Sequence, residues 1–269
     1  MLSGLAPARR RLALGLAALV VVAALALTAA LVVPRLTAGD VAAVPQETVG
    51  PVLLVPGYGG STASLQTLAD RLRAEGRDAE VVEVPGDGTG DMNASADVLG
   101  EAVDAALART GATSVDVVGY SAGGVITRLW LADGGADQAR RVVLLGTPNH
   151  GTRLADLGQD VGPSVCPEAC QQLTTDSALL AELNAGDETP PGPTYVSIWT
   201  TADTTVTPPE TARLDGALDL QVQSVCADSR VEHGQLPRDP LVQAMVLAEL
   251  APGPPVPLTA ADCARLSAA

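Results

Sequence analysis

Ser114-Val115-Asp116-Val117-Val118-Gly119-Tyr120-Ser121-Ala122-Gly123 is the stretch that decides how this chain reads. Its first five residues are β-branched and largely apolar, the composition of a short buried strand. Beyond it, Gly124-Val125-Ile126-Thr127-Arg128-Leu129-Trp130-Leu131 has apolar residues at helical spacing. Between the two lies G-x-S-x-G. Small residues at that junction let strand and helix backbones approach through a tight turn, and the serine is then held strained with its hydroxyl above the sheet edge. The same five-letter pattern also occurs as a plain small-residue turn. A strand before it and a helix after it favour a reactive serine.

On either side, strand and helix patterns alternate, which predicts an α/β fold with a mostly parallel sheet and helices on both faces. Val52–Val55 is expected as a strand, stopped by Pro56-Gly57-Tyr58-Gly59-Gly60. Residues 64–75 form an amphipathic helix with Leu65, Leu68 and Leu72 on one face. Strands are expected at 79–84, 142–145, 194–199 and 220–225, and helices at 94–109 and 239–250, with Gly111 closing the first of these. The rhythm breaks from Gly151 to Pro193, where only 177–184 looks helical. This reads as an insertion near the site, a pocket wall or partial lid, with a plain surface excursion as the alternative. The tail 251–269 is Pro- and Ala-rich and is expected to be irregular.

The first 35 residues differ from the rest. Arg9, Arg10 and Arg11 precede an uncharged apolar run from Leu12 to Val33, long enough to span a bilayer. It reads as an uncleaved signal-anchor or transmembrane helix, with a cleaved signal peptide as the alternative. The arginines place that end in the cytoplasm and the remainder outside. Residues 36–49 read as a linker and 50–250 as the catalytic domain. The formal net charge is −15, and every carboxylate lies beyond residue 35. Such a surface repels nucleic acid and anionic membranes, so neither is an expected partner.

Cys166, Cys170, Cys226 and Cys263 all follow the apolar run. An even count in an exported chain points to two disulfides, for which three connectivities exist. Cys166–Cys170 and Cys226–Cys263 are expected. Zinc is disfavoured, because the chain has two histidines and neither sits at ligand spacing from a cysteine pair.

A reactive serine needs a base, and the base needs a third group to fix its tautomer. In the chain order that accompanies such an elbow, the acid follows a late strand and the histidine the last one. Asp203 and His233 occupy those places, so Ser121, Asp203 and His233 are the expected triad, with Asp215 and Asp228 as alternative acids. His150, just after the strand at 142–145, and Tyr120 are assigned to the substrate pocket. The oxyanion that forms during ester attack needs preorganised donors. The backbone N–H of Ala122 and that of Tyr58, in the glycine-rich loop after the first strand, stand where they are required.

With these residues in order, the chain resembles the bacterial lipases of the α/β-hydrolase superfamily, particularly the small secreted lipases of the Bacillus lipase A type and their actinobacterial relatives. Leu53-Leu54-Val55-Pro56-Gly57-Tyr58-Gly59-Gly60, the elbow, Tyr195–Asp203 and Arg213-Leu214-Asp215-Gly216-Ala217 carry the likeness, over about residues 50–250. It implies hydrolysis of carboxylic esters by Ser121, Asp203 and His233, with Tyr58 and Ala122 as oxyanion donors and no cofactor. Three departures stand out. Pro56-Gly57 replaces the usual His-Gly, residues 226–231 lengthen the interval between acid and base, and 151–193 exceeds the corresponding segment of lidless members. The same triad also serves acyl transfer or thioester cleavage, and the fold also occurs in inactive binding domains.

Overall fold

Six short strands of almost entirely buried residues lie side by side in parallel in the computed structural model, which describes residues 41–268. The strands are β1 (Val52–Val55), β2 (Ala79–Val81), β3 (Val115–Tyr120), β4 (Ala139–Leu145), β5 (Thr194–Trp199) and β6 (Leu218–Gln221). Their order across the sheet is β2-β1-β3-β4-β5-β6, so the chain starts near the middle, runs to one edge, returns and then proceeds to the other. Parallel strands need crossovers, and the helices that supply them cover both faces. The anchor expected at 12–33 lies outside the described residues. Among the described residues, no helix is long and apolar enough to cross a membrane.

The helices are α1 (Ala63–Ala74), α2 (Met92–Thr110), α3 (Ala122–Ala132), α4 (Arg153–Val161), α5 (Glu168–Gln171), α6 (Ala178–Leu183), α7 (Val222–Val225), α8 (Pro240–Glu249) and α9 (Cys263–Ser267). Leu65, Leu68 and Leu72 of α1 are fully buried, on the face expected from their spacing. Gly111 ends α2 in the left-handed region, with its N–H on the Leu107 carbonyl. Asp239 caps α8 through the Leu241 and Val242 amides.

The structure corrects several sequence expectations. The strand at 79–84 ends at Val81. The one expected at 220–225 ends at Gln221, and Val222 and Val225 instead bury themselves on one turn of α7. The segment 151–193 contains three helices rather than one. The tail is ordered into α9, because the Cys226–Cys263 disulfide ties it down and Leu258 and Leu266 join the core. Part of the stretch read as a linker is docked: Val44 is buried, and Gln46 donates to the Arg140 carbonyl at 3.0 Å.

That docking answers a buried charge cluster at the amino end of the sheet. Asp116, at the start of β3, receives both arms of Arg140 at 2.8 and 2.7 Å and one of Arg77 at 2.5 Å. Arg141 takes the Gln46 side chain at 2.8 Å and the Gly253 carbonyl at 2.5 Å. Charges so buried are tolerable only when every donor finds an acceptor, and here main-chain carbonyls of both ends of the domain supply them.

Candidate active site

β3 ends and α3 begins at Ser121, which has φ 54° and ψ −126°. Among the described residues it is the one non-glycine with positive φ. Such a conformation costs on the order of 1–3 kcal/mol and persists only where packing over-determines it. The packing is visible at the neighbouring glycines. A Cβ on Gly119 would lie 2.6 Å from the Gly124 Cα, and one on Gly123 would lie 2.2 Å from the Val55 carbonyl oxygen. No larger residue fits there, so strand and helix meet closely enough to force the turn. The Ser121 N–H is held by the Leu145 carbonyl at 2.8 Å.

The side chains expected as a triad come together. Ser121 Oγ lies 3.0 Å from His233 Nε2, and His233 Nδ1 lies 2.7 Å from Asp203 Oδ2. All three residues are buried. Nδ1–H donates to the carboxylate, which leaves Nε2 to accept from the serine hydroxyl. The other oxygen of Asp203 accepts the Thr205 and Val206 amides at 2.8 and 2.7 Å, which fixes the carboxylate plane. His233 opens a 3-10 turn whose Glu232 and Gln235 cap each other. Upstream, Thr200 Oγ1 donates to the Val231 carbonyl at 2.7 Å and receives Gln223 Nε2 at 2.8 Å. The longer interval between acid and histidine is thereby tied to β5.

Pro56–Gly60 follows β1 and lies over the serine: a Cβ on Gly57 would come 3.0 Å from Ser121 Cβ. Among the described residues, the Tyr58 and Ala122 amides donate to no acceptor. Two free donors beside a buried hydroxyl suit an oxyanion.

Tyr120 does not stand apart as a pocket wall. Its phenol donates to the His233 carbonyl at 3.3 Å, and its ring centroid lies 5.3 Å from that of the imidazole. Burial, with Asp203 nearby, pushes its hydroxyl up to about 12. His150 lies elsewhere, in a surface cleft of about 430 Å³ with Arg213 and Asp219, where its Nε2 meets Glu188 at 2.9 Å. Asp215 contributes only a backbone N–H to Glu188, at 2.8 Å. The sequence gave no sign of Thr152, whose hydroxyl donates to the Thr205 carbonyl at 2.7 Å and accepts the Thr207 amide at 3.0 Å. It joins the inserted segment to the loop that carries Asp203.

The inserted segment meets the scaffold again at Arg128 of α3. This buried guanidinium donates to the Leu183 carbonyl and the Asn184 side chain at the end of α6, and burial lowers its pKa to about 10. A cavity of about 870 Å³ lies beside it, bounded by α2, α3 and α6, and is not lined by Ser121, Asp203 or His233. Both expected disulfides are formed, Cys166–Cys170 and Cys226–Cys263. Among the described residues, no group of three or more His, Cys, Asp or Glu side chains is placed to hold a metal.

Sheet topology, elbow and crossovers together define an α/β hydrolase. The family model described as "Lipase (class 2)" matches residues 99–242, more than half of the chain, and the chain belongs to that family. It is similar in fold to lipase B of Aspergillus fumigatus, at 18% identity and a TM-score of 0.65 over 82% of this chain and 61% of that one. The mature form of the Bacillus licheniformis lipase BlEst2 matches at 19% identity and a TM-score of 0.62, over 79% of this chain and 96% of that one. A Listeria innocua protein matches at 17% identity and a TM-score of 0.52, over 73% and 91%.

Proposed function

We propose that this lipase-family chain hydrolyses carboxylic esters of lipid-like acyl groups, with Ser121 as nucleophile, His233 as general base and Asp203 as the group that orients the base. The observation that carries this reading is the unbroken hydrogen-bond chain from Ser121 Oγ through His233 to Asp203, built on a serine with φ 54°. As Oγ attacks the acyl carbonyl, its proton passes to His233 Nε2, and Asp203 stabilises the imidazolium. The Tyr58 and Ala122 amides receive the developing oxyanion. Collapse breaks the ester C–O bond, and the alcohol leaves with the proton from Nε2. Water then attacks the acyl-enzyme with the same base, and the acid product leaves Ser121 protonated.

Two disulfides support an extracytoplasmic location. The apolar run 12–33 is the proposed anchor, with residues 50–250 as the catalytic domain. Small secreted lipases of the Bacillus lipase A type remain the proposed kin.

The test is turnover of p-nitrophenyl esters from acetate to palmitate by the full chain beside Ser121→Ala, with fluorophosphonate labelling of both. Turnover and labelling in the parent that vanish together in the variant are the expected result. A folded parent that neither turns over nor takes the label overturns the proposal.

A further inference from the structure

Helix α4 is built inside out. Its inward residues are small: Ala155 is buried, and Gly158 sits within 3.4 Å, measured from an ideal Cβ, of the Cys170 sulfur. Its large aliphatic residues point to solvent. Leu154, Leu157 and Val161 are 51%, 63% and 71% exposed, and Val165 just beyond is 54% exposed. The spacing i, i+3, i+7 puts the first three on one helix face. These four account for most of the large hydrophobic residues exposed among the described residues, so the patch is not the ordinary scatter of surface apolar groups.

The position of the patch gives it meaning. At the start of α4, the Arg153 amide donates to the Thr207 carbonyl at 2.9 Å, and Thr152 holds Thr205 and Thr207, in the loop whose amides grip Asp203. At the far side, the Ala169 amide of α5 donates to the Thr89 carbonyl at 3.0 Å, and Gln172 Nε2 reaches Asp91 at 2.6 Å. That loop in turn receives the Gly59 amide at the Gly88 carbonyl, 3.2 Å away. The α4–α5 unit therefore bridges the loop behind Asp203 and the loop beside Tyr58, which is itself 44% exposed. Cys166–Cys170 closes the bend between the two helices.

We propose that the outward face of α4, with Val165 and Tyr58, docks on an uncharged lipid–water interface and presents ester from that surface to Ser121. The proposal rests on the esterase reading above and adds its partner. The occupant is a neutral surface because the chain carries a net charge of −15 and α4 itself contributes Asp156 and Asp160, so an anionic surface is repelled. The patch is already exposed and pinned at both ends, so docking requires no opening movement.

Rates of the full chain on dissolved p-nitrophenyl butyrate and on a tributyrin emulsion separate docking from chemistry. Leu157→Asp/Val161→Asp should leave the dissolved-ester rate unchanged and lower the emulsion rate about tenfold or more, the loss expected for two aliphatic side chains no longer buried. Equal rates on the emulsion for parent and variant overturn the proposal, as does an equal fall on both substrates. Leu157→Trp gives a direct readout, since Trp130 and Trp199 are buried. Its added fluorescence should shift to the blue with the emulsion present, and an unmoved spectrum overturns docking. Phosphatidylglycerol added to the emulsion should slow the parent at low salt and not at high salt; acceleration overturns the neutral occupant. Failure of the esterase reading is distinct, because the parent then turns over neither substrate.

Discussion

Tyr120 touches His233 twice, with its ring beside the imidazole, centroids 5.3 Å apart and tilted by 34°, and with its phenol on the main-chain carbonyl of the same residue. The residue that precedes the proposed nucleophile is thus also packed against the proposed base. Tyr120→Phe should lower kcat only a few-fold, since it removes one hydrogen bond worth about 1 kcal/mol. Tyr120→Leu should lower it further while leaving KM close to the parent value. Steady-state kinetics on a dissolved ester separate the two, and combination with Asp203→Asn should be non-additive, because both changes act through His233.

Asp203→Asn should leave the fold in place and reduce kcat by roughly 10³–10⁴, the scale expected when a histidine is held in the wrong tautomer. Asp215→Asn and Asp228→Asn should leave kcat unchanged. Parallel kinetics on the three variants check the choice of acid.

Gly57→Ala tests how closely the loop after β1 must lie on the serine. With a new methyl 3.0 Å from Ser121 Cβ, loop and nucleophile must separate by a few tenths of an ångström. A fall in kcat of about 10² is expected, with little change in thermal stability, since displacement in an active site is far costlier to rate than to folding. Calorimetry beside kinetics distinguishes this from general loosening.

The Cys226–Cys263 disulfide closes a sequence separation of 37 residues and the Cys166–Cys170 disulfide one of only 4. Replacing the first pair by serine should remove about 2–4 kcal/mol of stability, and the second pair distinctly less, because the longer loop constrains the unfolded chain more. Thermal unfolding with and without reductant gives both numbers. Loss of the first pair should also lower kcat, because Cys226 opens the segment that leads to His233.

Glu249 is fully buried, one of its carboxylate oxygens has no partner, and burial raises its pKa to about 7. A carboxyl raised in the folded state is most favourable when protonated. Its contribution is complete below the unfolded value near 4.5 and is lost as pH rises through about 7. Stability should therefore decline over that window by about 2–3 kcal/mol from this group alone. Glu249→Gln should flatten the decline and be the more stable form at pH 8, as read from Tm against pH.

Local pattern carried much of the architecture. The β-branched runs at 52–55, 115–118 and 142–145 gave strands because a strand buried on both faces must be apolar throughout. The candidate site was legible because G-x-S-x-G, Asp203 and His233 each stood beside a recognisable element end. Where the reading failed, distant partners decided. Gln221-Val222-Gln223-Ser224-Val225 does not distinguish a strand from one helical turn until Val222 and Val225 find the core. Leu258 and Leu266 carry no local signal, and a disulfide with Cys226 holds their segment. α4 escaped notice because its leucines face outward, against the expectation that apolar periodicity marks a buried face. Gln46 looked like linker until the buried Arg140 and Arg141 called for acceptors.

The cluster of Asp116, Arg140 and Arg141 has a practical corollary. By gripping Gln46, it makes the chain enter the domain beneath the amino ends of the strands, whereas Ser121 stands where β3 finishes. Entry point and reactive hydroxyl are at opposite poles. A resin or sensor surface coupled ahead of residue 42 should therefore immobilise the enzyme with its mouth turned toward the bulk solution, and coupling chemistry placed on α4 should blind it.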